Sequence, residues 1–314
     1  MTTLPRSLLL FTICLAFAVV LLGAYVRLSD AGLGCPDWPG CYGRATPWHA
    51  GAEIAAAQAA DPSGPVSPAK AWKEMLHRYL AGSLGLAILA IVVLAWRRLP
   101  PVNRMLPGML LALLLVQALL GMWTVTLQLR PLVVAAHLLG GMATLAGLAW
   151  LWLRERGLTG VAPVDPLARG LLFLVLLQIA LGGWVSGNGA ALACPDLPTC
   201  QGVWWPSVDF ATGFNLLRPV VGGDLAALTA IHLLHRLGAV LLLAGVLLLA
   251  ARLARRAPGR AALLLVVVLV QIFLGMANVL LGLPLPLAVA HDAGAGMLLL
   301  CMVWINARPV GRQP

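Results

Sequence analysis

Charged residues are scarce in this sequence: Asp, Glu, Lys and Arg make up only 10% of its 314 residues. A soluble globular protein carries about 25% charged residues, so an ordinary soluble domain is excluded. Disorder is excluded as well, because disordered segments are poor in apolar residues, and here the apolar share is 61% with a mean hydropathy of +0.93. The class that remains is a polytopic membrane protein.

Aromatic residues are also few, at 6%, whereas the sequence has 33 glycines and 22 prolines. This balance is typical of packed transmembrane helices, where small residues allow close approach and helix breakers are tolerated. The sequence has no nucleotide-binding loop and no long soluble domain, which argues against an energised pump.

Continuous apolar runs of about 20 residues, the length that crosses a hydrocarbon core, occur eight times. They do not alternate apolar and polar residues as the strands of a β-barrel do. The predicted fold class is therefore an all-α polytopic membrane protein with eight transmembrane helices. The predicted spans are 8–27, 74–96, 106–127, 131–153, 169–187, 226–251, 261–281 and 286–306.

The formal net charge of +10 is explained by topology rather than by a nucleic-acid partner. Of the 21 Lys and Arg residues, 13 lie near the termini or in the short connections on one side of the predicted helices. The positive-inside rule makes that side, with both termini, cytoplasmic in a cell membrane, and puts the long loops 28–73 and 188–225 outside. The 13 residues are Arg6, Arg97, Arg98, Arg104, Arg154, Arg156, Arg169, Arg252, Arg255, Arg256, Arg260, Arg308 and Arg312.

The chain contains an internal repeat. The segment CPDWPGC recurs as CPDLPTC 159 residues later, and the matches that follow have offsets of 158 and 154. Four spans have thus been duplicated into eight, which predicts two similarly oriented four-helix bundles, residues 1–157 and 158–314. The matched pairs are Cys35 with Cys194, Cys41 with Cys200, His77 with His235, Gln117 with Gln271 and His137 with His291.

Each long loop carries two cysteines close together on the oxidising side of the membrane. Local disulfides Cys35–Cys41 and Cys194–Cys200 are therefore predicted. Proline and glycine within the rings suit tight turns, so a purely structural role for the disulfides is an open alternative.

Four histidines lie at a similar depth near the outer ends of the even-numbered spans. Polar residues in membrane spans are costly and tend to be functional, and two facing imidazoles in each bundle suit axial ligation of a haem iron. Zinc is a weaker candidate, because no Cys, Asp or Glu lies at that level to complete its ligand set. The pattern predicts two haem sites, one formed by His77 and His137 and the other by His235 and His291.

The two halves differ beside these histidines. Glu74 precedes His77 by three residues, whereas His232 holds the equivalent position before His235. Residues three apart share a helix face, so Glu74 is predicted to lie beside the first haem, where a carboxylate can move protons. The alternative is a favourable charge at a helix start. Asp292 has no counterpart in the first half and is a candidate to orient the adjacent His291.

Arg78 and Arg236 each follow a predicted ligand directly. A guanidinium at this level could pair with haem propionates. Extension of the side chain towards water or lipid phosphate is an equally good explanation.

Three features follow one another along the chain: GAYVRLSDAGLGCPDWPGCYG, then EMLHR, then a histidine in the fourth span. Together they resemble the haem A synthase family of cytochrome oxidase assembly, and the resemblance covers nearly the whole chain. The resemblance implies oxidation of a methyl group of haem O to a formyl group. It implies that His235 and His291 hold a resident haem B, that His77 and His137 flank the substrate haem, and that Glu74 is catalytic.

The resemblance also implies a functional first cysteine pair and a structural second pair. As partners it implies the substrate haem O, a membrane electron donor, haem O synthase and oxidase assembly factors, with a homo-oligomer possible. No nucleic-acid partner is expected.

Two other functions fit parts of the pattern. A di-haem cytochrome passing electrons from quinol to an outer acceptor would also use histidine pairs, but such haems are usually stacked across the bilayer. A transporter would have repeated halves, broken helices and polar groups at the midplane. The polar residues at depth here are mainly Gln117, Gln178 and Gln271, which suit hydrogen bonds between helices.

Overall fold

A computed structural model describes residues 4–159, 165–217, 220 and 223–307, and Arg308 and Arg312 lie outside these ranges. The described part is helical without β-strands, and eight of its helices are long and apolar enough to cross a membrane, which confirms the predicted fold class. The α-helices are α1 (Arg6–Leu28), α2 (Gly51–Ala60), α3 (Pro68–Arg98), α4 (Met105–Thr126), α5 (Pro131–Glu155), α6 (Pro166–Asn188), α7 (Phe210–Gly213), α8 (Leu225–Ala254), α9 (Pro258–Leu280) and α10 (Leu285–Asn306).

Most helix ends lie within a few residues of the predicted spans, and the largest difference is at α3. This helix begins at Pro68 instead of residue 74, because Ser67 caps it by accepting a hydrogen bond from Lys70 N at 3.3 Å and proline suits a first helical turn. Glu74 is therefore the seventh residue of α3. The interpretation of Glu74 as a helix-start charge is wrong, since that effect is confined to the first turn.

The membrane helices form two four-membered rings. In the N-terminal half, α1 and α4 each contact both α3 and α5; in the C-terminal half, α6 and α9 each contact both α8 and α10. The halves meet where α5 contacts α6 and α10, and where α1 contacts α10. Buried apolar side chains, mainly Leu, Ile and Val, form one core within the N-terminal half and a second core that extends from the seam into the C-terminal half.

The two cysteine-containing loops connect α1 to α3 and α6 to α8, so they lie at the same end of the bundle. The described basic residues at the last turns of α3, α5 and α8 lie at the opposite end, which fits the predicted separation. At the cysteine-loop end, Arg27 Nη2 donates to the backbone carbonyl of Ser186 at 2.9 Å and links the two halves.

Candidate functional site

The four predicted ligands occupy equivalent places in four helices that start at the cysteine-loop end. His77 is the tenth residue of α3, His137 the seventh of α5, His235 the eleventh of α8 and His291 the seventh of α10. In each half the two helices that carry these histidines belong to the same four-membered ring, α3 and α5 in the N-terminal half and α8 and α10 in the C-terminal half. The structure therefore brings together the two pairs that the sequence predicts.

Each imidazole packs against a glycine of the preceding membrane helix. A Cβ atom placed on these glycines would lie 2.9 to 3.4 Å from Cε1 of the facing ring, so at Gly23 and Gly275, where the approach is closest, a larger residue would push against the imidazole. The glycines thus provide the room in which each ring lies. The facing pairs are Gly23 with His77, Gly121 with His137, Gly182 with His235 and Gly275 with His291.

A cavity of about 870 Å³ lies inside the N-terminal half, and His77 and His137 both line it. Small-molecule and cofactor sites have volumes of about 300–1,000 Å³, so this cavity can hold a ligand of haem size. Glu74 and Arg78 line its cysteine-loop end together with Trp38 of the first loop.

These residues fit a haem better than a metal ion bound by protein side chains alone. No group of three or more His, Cys, Asp or Glu in the described ranges is placed to hold a metal ion. Two imidazoles per half match instead the ligand set of a haem iron. The Nδ1 atoms of His77 and His291 are buried without a hydrogen-bond partner, as expected of rings placed to serve another group.

Glu74 is buried, with 4% of its surface exposed, and both of its carboxylate oxygens are engaged. Oε2 accepts a hydrogen bond from Cys35 N at 2.9 Å, and Oε1 forms an ion pair with Arg78 Nη2. Arg78 Nη1 also donates to the carbonyls of Asp37 and Gly40, at 2.7 and 2.5 Å. Glu74 and Arg78 therefore fasten the first cysteine loop over the cavity, an arrangement that we call the first loop clamp.

The C-terminal half has an equivalent second loop clamp, formed by His232 and Arg236. Nδ1 of His232 lies 3.3 Å from Cys194 N, and its Nε2 lies 3.2 Å from Nε of Arg236. Arg236 also donates to the carbonyls of Thr199 and Cys194, at 2.9 and 2.6 Å. The imidazole thus takes the place of the Glu74 carboxylate, although a neutral ring can accept only one of these two hydrogen bonds.

The two arginines thus contact loop carbonyls, a role that the sequence pattern did not suggest. The pairing of Arg78 and Arg236 with haem propionates stays a prediction.

The cysteine loops have the same internal structure. Disulfides join Cys35 to Cys41 and Cys194 to Cys200, as predicted. In the second loop Asp196 accepts hydrogen bonds from the backbone of Gln201 and Gly202 and from the hydroxyl of Thr199. The Thr199 hydroxyl, followed by the two backbone amides, lowers the pKa of Asp196, so that this acceptor stays ionised.

Asp292 occupies a place that the sequence did not predict. It follows the C-terminal-half ligand His291 in the chain, yet it lines the cavity of the N-terminal half. The cavity therefore has a carboxylate from each half, Glu74 at the cysteine-loop end and Asp292 from α10. Residue spacing could not reveal this, because it depends on how α10 packs against α1 and α5.

A substitution in α9 tests whether the glycines position the rings. A Cβ on Gly275 would lie 3.0 Å from Cε1 of His291, whereas a Cβ on Gly259 in the same helix would meet nothing within 4 Å. We therefore expect Gly275→Ala to lower the haem content of the purified protein, and Gly259→Ala to leave it unchanged. Equal haem content in the two variants, measured as the pyridine haemochrome, would contradict the role given to Gly275.

The fold and the site together define a multi-pass membrane protein in which paired histidines on helices surround an internal cavity. Within that class, the chain belongs to the COX15-CtaA family of cytochrome oxidase assembly proteins, whose family model matches residues 6–303.

Curated relatives extend over nearly the whole chain. A protein of Shewanella oneidensis named heme A synthase is 44% identical over 323 residues, covering 98% of this chain and 96% of the relative. Proteins with the same name from Methylobacterium radiotolerans and Rhizorhabdus wittichii are 33% and 28% identical, and cover 96% and 94% of this chain and 89% and 91% of their own lengths. The family resemblance drawn from the motifs is thereby confirmed.

The competing functions receive no support. None of these three relatives is named as an electron-transfer cytochrome or a transporter. The eight membrane helices of the described ranges also run unbroken, unlike the interrupted helices that line many transporter sites.

Proposed function

We propose that this protein is a haem A synthase, an oxidoreductase that converts a methyl group of haem O to the formyl group of haem A for a terminal cytochrome oxidase. One observation carries the proposal. The N-terminal half has a haem-sized cavity with two imidazoles and the Glu74 carboxylate on its walls, whereas the C-terminal half has His232 in place of that carboxylate. A half that oxidises its haem must move protons, and Glu74 lines the cavity of the N-terminal half as a carboxylate that can do so, whereas His232 does not line this cavity.

The proposal gives the halves different tasks. Residues 1–157 form the substrate half, in which His77 and His137 flank haem O. Residues 158–314 form the cofactor half, in which His235 and His291 hold a resident haem B. Haem B, when bound, supplies one-electron redox chemistry. The named relatives support this reaction, and the asymmetry between Glu74 and His232 supports this assignment of the halves.

Glu74 is the residue proposed to accept and release protons. A carboxylate offers about four acceptor positions on its two oxygens, and the contacts with Cys35 N and Arg78 use two of them. The remaining positions are available to the cavity, which Glu74 lines. Arg78 and the Cys35 amide hold the carboxylate in one orientation, so that it need not reorganise during the reaction.

The first cysteine loop closes the cavity. Trp38 and Pro39 of this loop line the cavity wall, and the first loop clamp holds them there. The disulfide Cys35–Cys41 fixes the loop beside Glu74. We propose that the loop limits the entry of water and sets the depth at which the substrate rests.

The proposed location is the cell membrane, with both termini cytoplasmic and both cysteine loops outside. The basic residues at the last turns of α3, α5 and α8 support this orientation. The proposed partners are a membrane electron donor, haem O synthase and oxidase assembly factors, and self-association is compatible with the exposed apolar helix faces.

Production of haem A is the direct test. The protein is expressed together with haem O synthase in a host that makes no haem A, and the haems are extracted, separated and identified by mass. We expect haem A to appear only when both proteins are present. Purified protein that holds two equivalents of haem B, in cells without any haem A, would favour the di-haem cytochrome instead.

A further inference from the structure

A motif of glutamine, glycine and histidine occurs once in the N-terminal half and twice in the C-terminal half. In three of the four helix pairs, the first helix carries Gln and, four residues later, the Gly that faces the imidazole. The second helix carries the His and, three residues later, another Gly. The three sets are Gln117, Gly121, His137 and Gly140; Gln178, Gly182, His235 and Gly238; and Gln271, Gly275, His291 and Gly294.

In these three pairs the glutamine amide contacts the imidazole. Gln178 Nε2 donates to the backbone carbonyl of His235 at 2.8 Å and lies 3.1 Å from its Nδ1. With its amide nitrogen facing α5, Gln117 donates to the carbonyl of His137 at 3.1 Å and lies 2.9 Å from Nδ1. Gln271 Nε2 lies 3.4 Å from Nε2 of His291, the ring nitrogen opposite to the one contacted in the other two pairs, and Nδ1 of His291 has no partner. A polar contact at one ring nitrogen restricts rotation of the ring and determines which nitrogen is presented to a metal.

The second glycine of each set makes room for the amide. A Cβ atom on Gly140, Gly238 or Gly294 would collide with the side-chain amide of Gln117, Gln178 or Gln271 respectively. The glutamine and this glycine therefore work together, since the amide reaches the histidine only where the facing helix has no side chain.

The pair formed by α1 and α3 lacks both residues. Val19 holds the place of the glutamine and Leu80 the place of the second glycine, while Gly23 still faces His77. Val19 and Leu80 belong to the apolar core of this half. Nδ1 of His77 is buried and has no side-chain partner, and its ring lies near the backbone of Val19.

We propose that His77 is the exchangeable ligand of the N-terminal site, and that Gln117, Gln178 and Gln271 are positioning residues that hold the other three imidazoles. The inference rests on the proposed function, in that it needs a haem between His77 and His137. Removing the partner of a ligating histidine typically weakens metal binding by about 10–100-fold. His77 lacks the side-chain amide that contacts the other three rings and has the backbone of Val19 beside it instead, so it is the least firmly held of the four ligands.

This difference suits the two tasks of the halves. A site that binds haem O and releases haem A must let its haem dissociate in every catalytic cycle, and one weakly held ligand allows this dissociation. A site that keeps its cofactor needs both ligands held, and His235 and His291 each have their glutamine. The helix pair without a glutamine, α1 and α3, lies in the half that contains Glu74. This agrees with the assignment of that half to the substrate.

Carbon monoxide tests the inference, because it binds ferrous haem only where an axial ligand gives way. The purified holoprotein is reduced with dithionite, and CO binding is followed by absorbance and expressed per haem. In the wild type we expect one of the two haems to bind CO. The variant Val19→Gln with Leu80→Gly supplies the missing amide and the space for it, and should slow CO association at that haem by about 10-fold or more.

Two further variants serve as controls. Leu80→Gly alone makes the space without supplying an amide, and should leave CO association as rapid as in the wild type. Gln178→Val removes the amide beside His235 and should create a second CO-binding haem. Because this variant alters only the C-terminal half, it remains informative if the double variant fails to fold or to retain haem.

Each of these measurements either supports or overturns the inference. The inference is overturned if wild-type protein with both haems present binds no CO, if the double variant with full haem content binds CO as the wild type does, or if Gln178→Val gains no CO binding. Haem A formation is measured separately on the same variants. A protein that makes haem A while neither haem binds CO would refute only the exchangeable ligand, and a protein with one CO-binding haem that never makes haem A would refute only the proposed function.

Discussion

Glu74→His is expected to stop haem A formation while the protein stays folded and keeps its haems. The second loop clamp shows that an imidazole fits at this place, between a cysteine amide and a guanidinium. The substitution therefore removes the carboxylate and keeps the loop in position. A residue that acts as a general acid or base contributes about 10²–10⁴-fold to the rate, so haem A yield should fall by at least about 100-fold.

Glu74→His removes the negative charge that balances Arg78, and loss of one partner of a buried ion pair costs about 3–5 kcal/mol. The second loop clamp holds Arg236 beside a neutral imidazole, so we expect the fold to be kept at a lower stability. The matched control is His232→Glu, which makes the reverse exchange in the second loop clamp, away from the substrate cavity, and should still yield haem A. An imidazole can itself move protons, so the refuting result is a normal haem A yield in Glu74→Gln, whose amide has the shape of the carboxylate but cannot take up a proton; Glu74 would then only fasten the loop.

The second large effect concerns the cofactor half. His235→Ala and His291→Ala should each deplete the resident haem, because a haem held by one imidazole in place of two dissociates far more readily. Haem content should fall from about two per chain to about one, with loss of the low-spin haem B absorption spectrum. The haem species that remain are identified after extraction.

His49→Ala is a suitable control for these variants, since His49 is an exposed residue of the first loop whose ring shares a hydrogen bond with the hydroxyl of Thr46. This variant should keep both haems. Retention of the low-spin spectrum by His235→Ala or His291→Ala would show that the resident haem is held elsewhere, and would reverse the division of labour between the halves.

The fold was predictable because membrane burial leaves a strong local signal. Twenty consecutive apolar residues are needed to cross the hydrocarbon core, and the eight predicted runs agree with eight helices of the described ranges. The predicted start of α3 was six residues late, because the first turns of this helix are polar and lie beside the cysteine loop. A helix that extends beyond the apolar layer is marked by its capping residue, here Ser67, and not by its hydropathy.

The candidate ligands were predictable for a similar reason. The repeat places each histidine at the same position of its helix, so His77 and His137 could be paired from the sequence, as could His235 and His291. The side-chain partners could not be predicted. Arg78 binds carbonyls about 40 residues away in a folded loop, and no local pattern indicates such a contact.

For the glutamines, the sequence predicted the type of interaction but not the partner. Their depth in the membrane indicated hydrogen bonds between helices, and such bonds are present. That each amide contacts a candidate haem ligand follows from the packing of neighbouring helices, and the glycine that admits the amide is recognised only when the two helices are placed side by side.

The two loop clamps are alike in shape but differ by one unit of charge. The Glu74 carboxylate balances the Arg78 guanidinium. Donors face both ring nitrogens of His232, an arrangement incompatible with an imidazolium ring, so Arg236 retains its positive charge. Asp37 and Asp196 are common to both loops and cancel from the comparison. Since the energy of a charge grows as the dielectric falls, an anionic group that contacts the clamps themselves meets an unbalanced guanidinium at the second loop clamp and a neutralised ion pair at the first.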